Sequence, residues 1–271
     1  MPSVSSTRPG VHARAPAMLP HAGLGVVGAP AATGAARRLG RDELDTLVAL
    51  GRRNPTGRWT IGADLADARN MHATNRRSEL RRALTGDYDW LEVDIRRIGG
   101  TLVASHDRIP ARDALLMRDW IAIGSATGRG LKLDFKEREA ITPTLDLVAD
   151  AGIPDELLVI NVPVLGRGGV SLDQLLRIRE RLPNATINLS LRGSGWNGRA
   201  ARAIVELARR VGGPIAFPVE LSSIDARLVA ALRRGGRIAV WNDPKRSPVS
   251  DRDVARRRLR ALGVDGTIDL R

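Results

Sequence analysis

Eight short apolar segments recur along the chain, centred near Met71, Val93, Leu133, Val159, Leu189, Phe217, Ala239 and Ile268, most of them 22 to 30 residues apart. The gaps between them carry helical patterns. Arg76–Leu84 opens behind Thr74 or Asn75 as a cap, Thr142–Ala151 has Pro143 near its start, and Ser171-Leu172-Asp173-Gln174 gives Leu172–Leu182 a capping-box spacing. Ala200–Val211, Asp225–Arg234 and Asp251–Leu262 follow. Strands and helices alternating at this period imply parallel strands joined by crossover helices, because a tight turn cannot return a parallel strand. Eight such units predict an α/β fold, a (β/α)8 TIM barrel. An open doubly wound sheet is the alternative, but no GxGxxG follows an early strand to build a dinucleotide site.

Two of the eight segments break the apolar habit of buried strands. In Leu91-Glu92-Val93-Asp94-Ile95-Arg96 the apolar residues take one face and Glu92, Asp94 and Arg96 the other. In Leu131-Lys132-Leu133-Asp134-Phe135-Lys136 the same alternation puts two lysines and an aspartate on one face. The chain has 43 basic residues but only three lysines, so two of the three flank Asp134. A charged inner face is costly unless it meets partners, a metal or a substrate. An edge strand with a solvated polar face is the competing explanation of either segment alone. Gly99-Gly100 then makes a hairpin turn, and Thr101 to His106 runs back as a strand added after the second barrel strand.

Active sites of such barrels lie at the C-terminal ends of the strands. Those ends hold His72, Glu92 and Asp94, Asp134 and Lys136, Asn161, Arg192, Glu220, Trp241 with Asn242, and Asp269. Three carboxylates offer hard oxygens suited to Mg²⁺ or Ca²⁺, so Glu92, Asp94 and Asp134 are the expected metal ligands. His72 and His106 suit proton transfer near neutral pH, in an order the sequence does not fix. Lys136 suits a phosphate oxygen as a point charge, and Lys132, one layer lower, reads as a structural counter-ion. Trp196 and Trp241 either wall the pocket or pack, and Asn161 and Arg192 enter the substrate side by register.

Composition bounds the rest. With no cysteine, disulfides, thiol catalysis and zinc–thiolate sites are excluded. A net charge of +13 admits nucleic acid, anionic lipid or a phosphorylated substrate. The basic residues are dispersed, however, Arg256-Arg257-Arg258 is the longest run, and no aromatics interleave them, which disfavours a nucleic-acid surface. No apolar run approaches membrane-spanning length. Residues 1–40 lack any Asp or Glu and read as a disordered tail, 41–66 as a lead-in with a short helix at Arg41–Leu50, and 67–271 as the barrel domain. The Ala22–Ala36 stretch is broken by Gly and Pro and makes no signal-peptide core, so the expected location is cytoplasmic.

The early His72, the Glu92-x-Asp94 strand, His106-Asp107 and the acidic-x-Lys pair Asp134 and Lys136 resemble the PLC-like phosphodiesterase superfamily, which includes the glycerophosphodiester phosphodiesterases. Within it, His72-Ala73-Thr74-Asn75, Gly130-Leu131-Lys132-Leu133-Asp134-Phe135-Lys136 and Asn161 after the next strand resemble the menorin family over roughly residues 68–271. Two positions depart from the wider superfamily: Asp134 stands where Glu is common, and Ala73-Thr74 replace the Arg-Gly or Asp-Thr that often follows the first His. The resemblance implies a barrel with a divalent cation at its mouth, and adds Asn75 to the substrate side. The expected function is metal-dependent hydrolysis of a small phosphodiester or lysophospholipid-like substrate, by water or a neighbouring substrate hydroxyl. The alternative is a menorin-like binding or scaffold protein without turnover.

Overall fold

The computed structural model describes residues 36–53, 64–191 and 195–271. The chain order is α1 (Arg41–Arg53), β1 (Asn70–Met71), α2 (Arg77–Thr85), β2 (Trp90–Ile98), β3 (Thr101–Ala104), α3 (Met117–Thr127), β4 (Gly130–Phe135), α4 (Ile141–Asp150) and β5 (Leu158–Val164). It continues with α5 (Leu172–Arg181), β6 (Thr186–Leu191), α6 (Gly198–Val211), β7 (Ile215–Glu220), α7 (Ala226–Leu232), β8 (Arg237–Trp241), α8 (Arg252–Leu262) and β9 (Ile268–Asp269). The parallel strands run β1-β2-β4-β5-β6-β7-β8-β9, and β3 pairs antiparallel with β2 as a hairpin through Gly99-Gly100. This is a (β/α)8 barrel with a hairpin addition after its second strand, and every strand centre read from the sequence lies in a barrel strand.

Alternation divides each charged strand as its sequence requires. Leu91, Val93, Ile95, Leu131, Leu133 and Phe135 join the aliphatic core beneath the helices, while Glu92, Asp94 and Lys132 are buried on the opposite face. In-register pairing sets Glu92 beside Lys132 and Asp94 beside Asp134, and Asn161 of β5 beside Asp134. Gly130 starts β4 because the Trp90 ring lies over it: a Cβ there would stand 2.2 Å from a ring carbon. The first glycine of the Gly-Leu-Lys-Leu-Asp-Phe-Lys string is therefore a packing requirement.

The barrel closes without a backbone ladder between β9 and β1 among the described residues; side chains bridge the seam. Asp269 Oδ2 accepts from Asn70 Nδ2 at 3.1 Å and meets His72 Nδ1 at 2.9 Å. Behind it, Arg260 pairs with Asp64 at 2.9 Å and Asp67 at 2.6 Å, tying α8 to the segment before β1.

Several expectations needed revision. The helix α3 was not expected from the sequence: it begins at Leu116 with no side-chain cap, and its outer face, Arg118 apart, is made of the small residues Ala122, Ser125, Ala126 and Thr127, so no charged stripe marks it, although Gly128 closes it in the left-handed conformation. The returning strand stops at Ala104, which leaves His106 on a loop. Neither Thr74 nor Asn75 caps α2: the N-cap is Arg76, whose N–H donates to Glu79 Oε2 at 2.9 Å. Ser171 and Gln174 do form the expected capping box. The tail reading falls on residues 1–35 outside the described residues, but at its end Leu39 is buried and donates its N–H to Asp119 Oδ2 at 2.9 Å. Among the described residues no helix is long and apolar enough to cross a membrane.

Candidate metal and catalytic site

One cavity of about 890 Å³ opens at the C-terminal ends of the barrel strands. His72, Asn75, Glu92, Asp94, His106, Asp134, Lys136, Asn161, Trp196 and Trp241 all line it, which are the expected site residues apart from Arg192, which lies outside the described residues. Each of the three carboxylates Glu92, Asp94 and Asp134 offers an oxygen within 4.8 Å of the others. Oxygens bound to one Mg²⁺ or Ca²⁺ at about 2.1–2.5 Å stand at most about 4–5 Å apart, so the spacing fits a single ion.

The turn after β1 shapes this cluster. Ala73 adopts a left-handed backbone (φ 54), which for a residue with a Cβ costs about 1–2 kcal/mol. That turn aims the Ala73 N–H at Glu92 Oε2 and sets Thr74 N–H 2.7 Å from the Glu92 carbonyl. Thr74 is wholly buried: its hydroxyl donates to Glu92 O at 2.7 Å and accepts from Trp120 Nε1 at 3.0 Å. Asn75 clasps Asp94, donating from Nδ2 to Oδ2 at 2.7 Å and accepting from the Asp94 N–H at 2.9 Å. Thr74 and Asn75 are thus braces for the Glu-x-Asp strand.

Charge compensation in the cluster is uneven. Lys136 Nζ bridges Asp94 Oδ1 at 2.6 Å and Asp134 Oδ2 at 2.7 Å. Burial opposes the Lys136 charge, but the two carboxylates outweigh it and raise its pKa. Burial would likewise push Asp94 up, yet the Lys136 ammonium and the Asn75 amide hold it below the usual carboxylate range. Asp134 accepts from Asn161 Nδ2 at 2.7 Å. Glu92 has no exposed surface, and burial pushes its carboxyl up. Its Oε1 is buried with no hydrogen-bond partner among the described residues, and so is Asn161 Oδ1. Four carboxylates, Glu92, Asp94, Asp134 and Asp269, face two ammonium groups, Lys132 and Lys136. An orphaned carboxylate oxygen inside a cluster with surplus negative charge fits a divalent cation of hard character. Such an ion and Lys136 would compete for the same two carboxylates, Asp94 and Asp134.

His72 Nδ1 lies 2.9 Å from Asp269 Oδ2 and 3.3 Å from Glu92 Oε2. Burial lowers its pKa, but the facing Glu92 and Asp269 outweigh that and raise it. Asp269, in the last short strand, thereby fixes the ring orientation of a residue in the first. Register marked it only as a polar strand end; the contact needs barrel closure, which no local pattern encodes. His106 differs: its ring is 68% exposed and touches Asp107 at 3.0 Å, while its carbonyl accepts from Arg96 Nε at 2.9 Å. Arg96 turns to His106 and to Glu137 at 3.6 Å, so it does not neutralise Asp94 as its place on the strand face allowed.

Across the cavity the lining changes to Trp196, Pro218 and Trp241, with both indoles half-buried. Glu220 at that rim accepts from Ser222 and from Ser247 Oγ.

Two solved structures are similar at low level. A glycerophosphodiester phosphodiesterase from Thermotoga maritima shares 16% identity over 66% of this chain and 80% of that one, with a TM-score of 0.42. A lysine decarboxylase from Selenomonas ruminantium shares 11% identity over 84% of this chain and 58% of that one, with a TM-score of 0.35. The sequence model of the Menorin N-terminal domain matches residues 64–232, a span holding the Glu-x-Asp strand, the hairpin, His106 and the whole of β4 through β7, and the chain belongs to the menorin family.

Proposed function

We propose that the barrel mouth is a cation-dependent phosphodiesterase site. The observation that carries this reading is the convergence of Glu92, Asp94 and Asp134 within 4.8 Å in a cavity that His72 and His106 also line. The phosphodiester class comes from the resemblance of the His, Glu-x-Asp, His-Asp and Asp-x-Lys strings to the PLC-like superfamily. Glu92, Asp94 and Asp134 would hold Mg²⁺ or Ca²⁺, which when bound supplies positive charge for a non-bridging phosphate oxygen. His72, oriented through Nδ1 by Asp269, keeps its other ring nitrogen for proton exchange with the attacking hydroxyl or the leaving oxygen. His106 carries the complementary proton from its loop. Lys136, relieved of two carboxylates once their charge is met, becomes a cation for the substrate, with Asn161, Trp196 and Trp241 on the substrate's flanks. The substrate is a small phosphodiester or a lysophospholipid-like molecule.

Hydrolysis of a phosphodiester such as glycerophosphocholine, followed with and without EDTA, tests this. Turnover lost on chelation, restored by Mg²⁺ or Ca²⁺ and abolished in His106→Ala is the expected result. Turnover indifferent to both would refute it. A second reading, a binding protein without turnover, draws support from Lys136, which meets two of the three carboxylates without any ion. Calorimetric titration separates the two: a scaffold has no need of a cation site that Asp134→Ala removes.

A further inference from the structure

Lys132 is a buried charged group that the reading above leaves without a task. It sits on β4 opposite Glu92, two residues and one layer below Asp134, and its side chain lines the cavity with 8% of the residue exposed. Lys136 touches two carboxylates; among the described residues the Lys132 ammonium has no hydrogen-bond or ion-pair partner. An ammonium on a cavity wall with three N–H donors and no protein acceptor keeps them for water or for an acceptor that enters the cavity. Three roles can be weighed. As a nucleophile it would need a base within hydrogen-bond reach to take its proton, and among the described residues it has none. As a metal ligand an ammonium is excluded by its charge. As a counter-ion it balances Glu92, Asp269 and Asp134 only at a distance, and that leaves its three N–H donors unused; the lysine in direct contact with carboxylates is Lys136.

An electrostatic contact to an anionic oxygen of a ligand remains. We propose that Lys132 is a substrate-contact residue whose ammonium meets a phosphoryl oxygen at the base of the cavity, from the layer of Glu92 beneath Asp94 and Asp134. A compact point charge on a four-carbon stem suits a single phosphate oxygen there. The proposal rests on the phosphodiester reading for the identity of the anion, and extends it to a residue that the sequence alone marked as structural.

With three lysines in the chain, the test can be read in the unaltered protein. Full-length protein carrying ¹⁵N-labelled lysine side chains is titrated with inorganic phosphate in the presence of Mg²⁺, with Lys136→Arg and Lys245→Arg used to assign the ammonium resonances. Exposed Lys245 is the internal control. Lys132 should shift saturably while Lys245 stays still. Absence of saturable phosphate binding, or saturable binding by calorimetry that leaves the Lys132 resonance unmoved, overturns the proposal. Lys132→Gln should weaken phosphate at least about tenfold without weakening Mg²⁺. A folded Lys132→Gln protein that melts many degrees lower yet binds phosphate as wild type does would make Lys132 a counter-ion after all. Failure of the phosphodiesterase reading is seen elsewhere, in the chelation assay, because phosphate binding requires no turnover.

Discussion

The first and second halves of the barrel line one cavity with opposite materials. From β1 to β5 the inner face presents His72, Glu92, Asp94, Lys132, Asp134, Lys136 and Asn161; from β6 to β8 it presents mainly Leu191, Trp196, Pro218 and Trp241. The charged groups on the second side are spoken for locally: Glu220 by Ser222 and Ser247, Arg246 by Asp243, and the Arg271 guanidinium by the Asn242 carbonyl. Buried charge is costly, so a barrel that gathers it in one arc and fills the other with indoles separates two jobs. Proton and charge handling belong to the first arc. Shape and apolar contact belong to the second.

The sharpest way to break that division is to remove a charge-handling group. His72→Ala should lower kcat by on the order of 10²–10⁴-fold, and Asp134→Ala should abolish both cation binding and turnover. The residual activity of His72→Ala should keep KM-type discrimination among substrates with different leaving groups much as it was. Loss of that discrimination with retained kcat would show that the first arc recognises rather than reacts.

Lys136→Met probes the same arc in the absence of substrate. Removing the ammonium leaves Asp94 and Asp134 facing each other in the barrel, so in EDTA the variant should be less stable by about 3–5 kcal/mol. Mg²⁺ should restore much of that loss and bind more tightly than to wild type, because its competitor for the two carboxylates is gone. The pH dependence has a definite sign. Asp94 is held below its ordinary value in the folded protein, so its share of the stability is present above about pH 3.9 and is lost as pH falls through the lower folded value. Wild type and variant in EDTA should therefore differ at neutral pH and converge in acid, as chemical denaturation at each pH would reveal. A Lys136→Met protein that binds Mg²⁺ more weakly would mean the lysine assists the cation instead of competing with it.

Asp269→Asn acts where the two arcs meet, at the seam between β9 and β1. Its carboxylate helps raise the His72 pKa, so the variant should lose about ten- to a hundredfold in kcat, and the limb of the pH–rate profile that reports His72 should move to lower pH. A purely structural seam residue would lower the melting temperature and leave that limb in place.

How much of this was legible in the sequence follows the same division. Glu92, Asp94, Asp134 and Lys136 stand out because charges at alternate positions of an apolar strand violate the cost of burial, and period two is a local signal. The eight strands were legible because apolar segments recur at a βα period, and α3 was not, since its N-terminus has no side-chain cap and its outer face is mostly small residues without a charged stripe. Which lysine meets which carboxylate was not legible. Both alternate with Asp134 on one strand face, and only the three-dimensional spacing shows Lys136 touching Asp94 and Asp134 while Lys132 touches neither. Asp269 and the Asn75 clasp on Asp94 join residues 197 and 19 positions apart, so no window of sequence contains them.

The aromatic arc is where the smallest effect is expected, and where the comparison is most easily lost. A tryptophan is equally at home in a core and in a pocket wall, and this chain uses it both ways: Trp90 and Trp120 are buried, while Trp241 and Trp196 are half-exposed on the cavity. Trp241 ends β8, beside Glu220 on one neighbour strand and Asp269 on the other. If its ring serves substrate binding alike in the ground and transition states, Trp241→Ala should raise KM about tenfold and leave kcat within about twofold. The melting temperature should change little, because a half-exposed indole buries less surface than a core one. The reverse pattern, a fall in kcat at constant KM, would mean that the indole steadies Asp269 and through it His72. The second arc would then belong to the reaction as well, and the two halves of the mouth would differ in material but not in task.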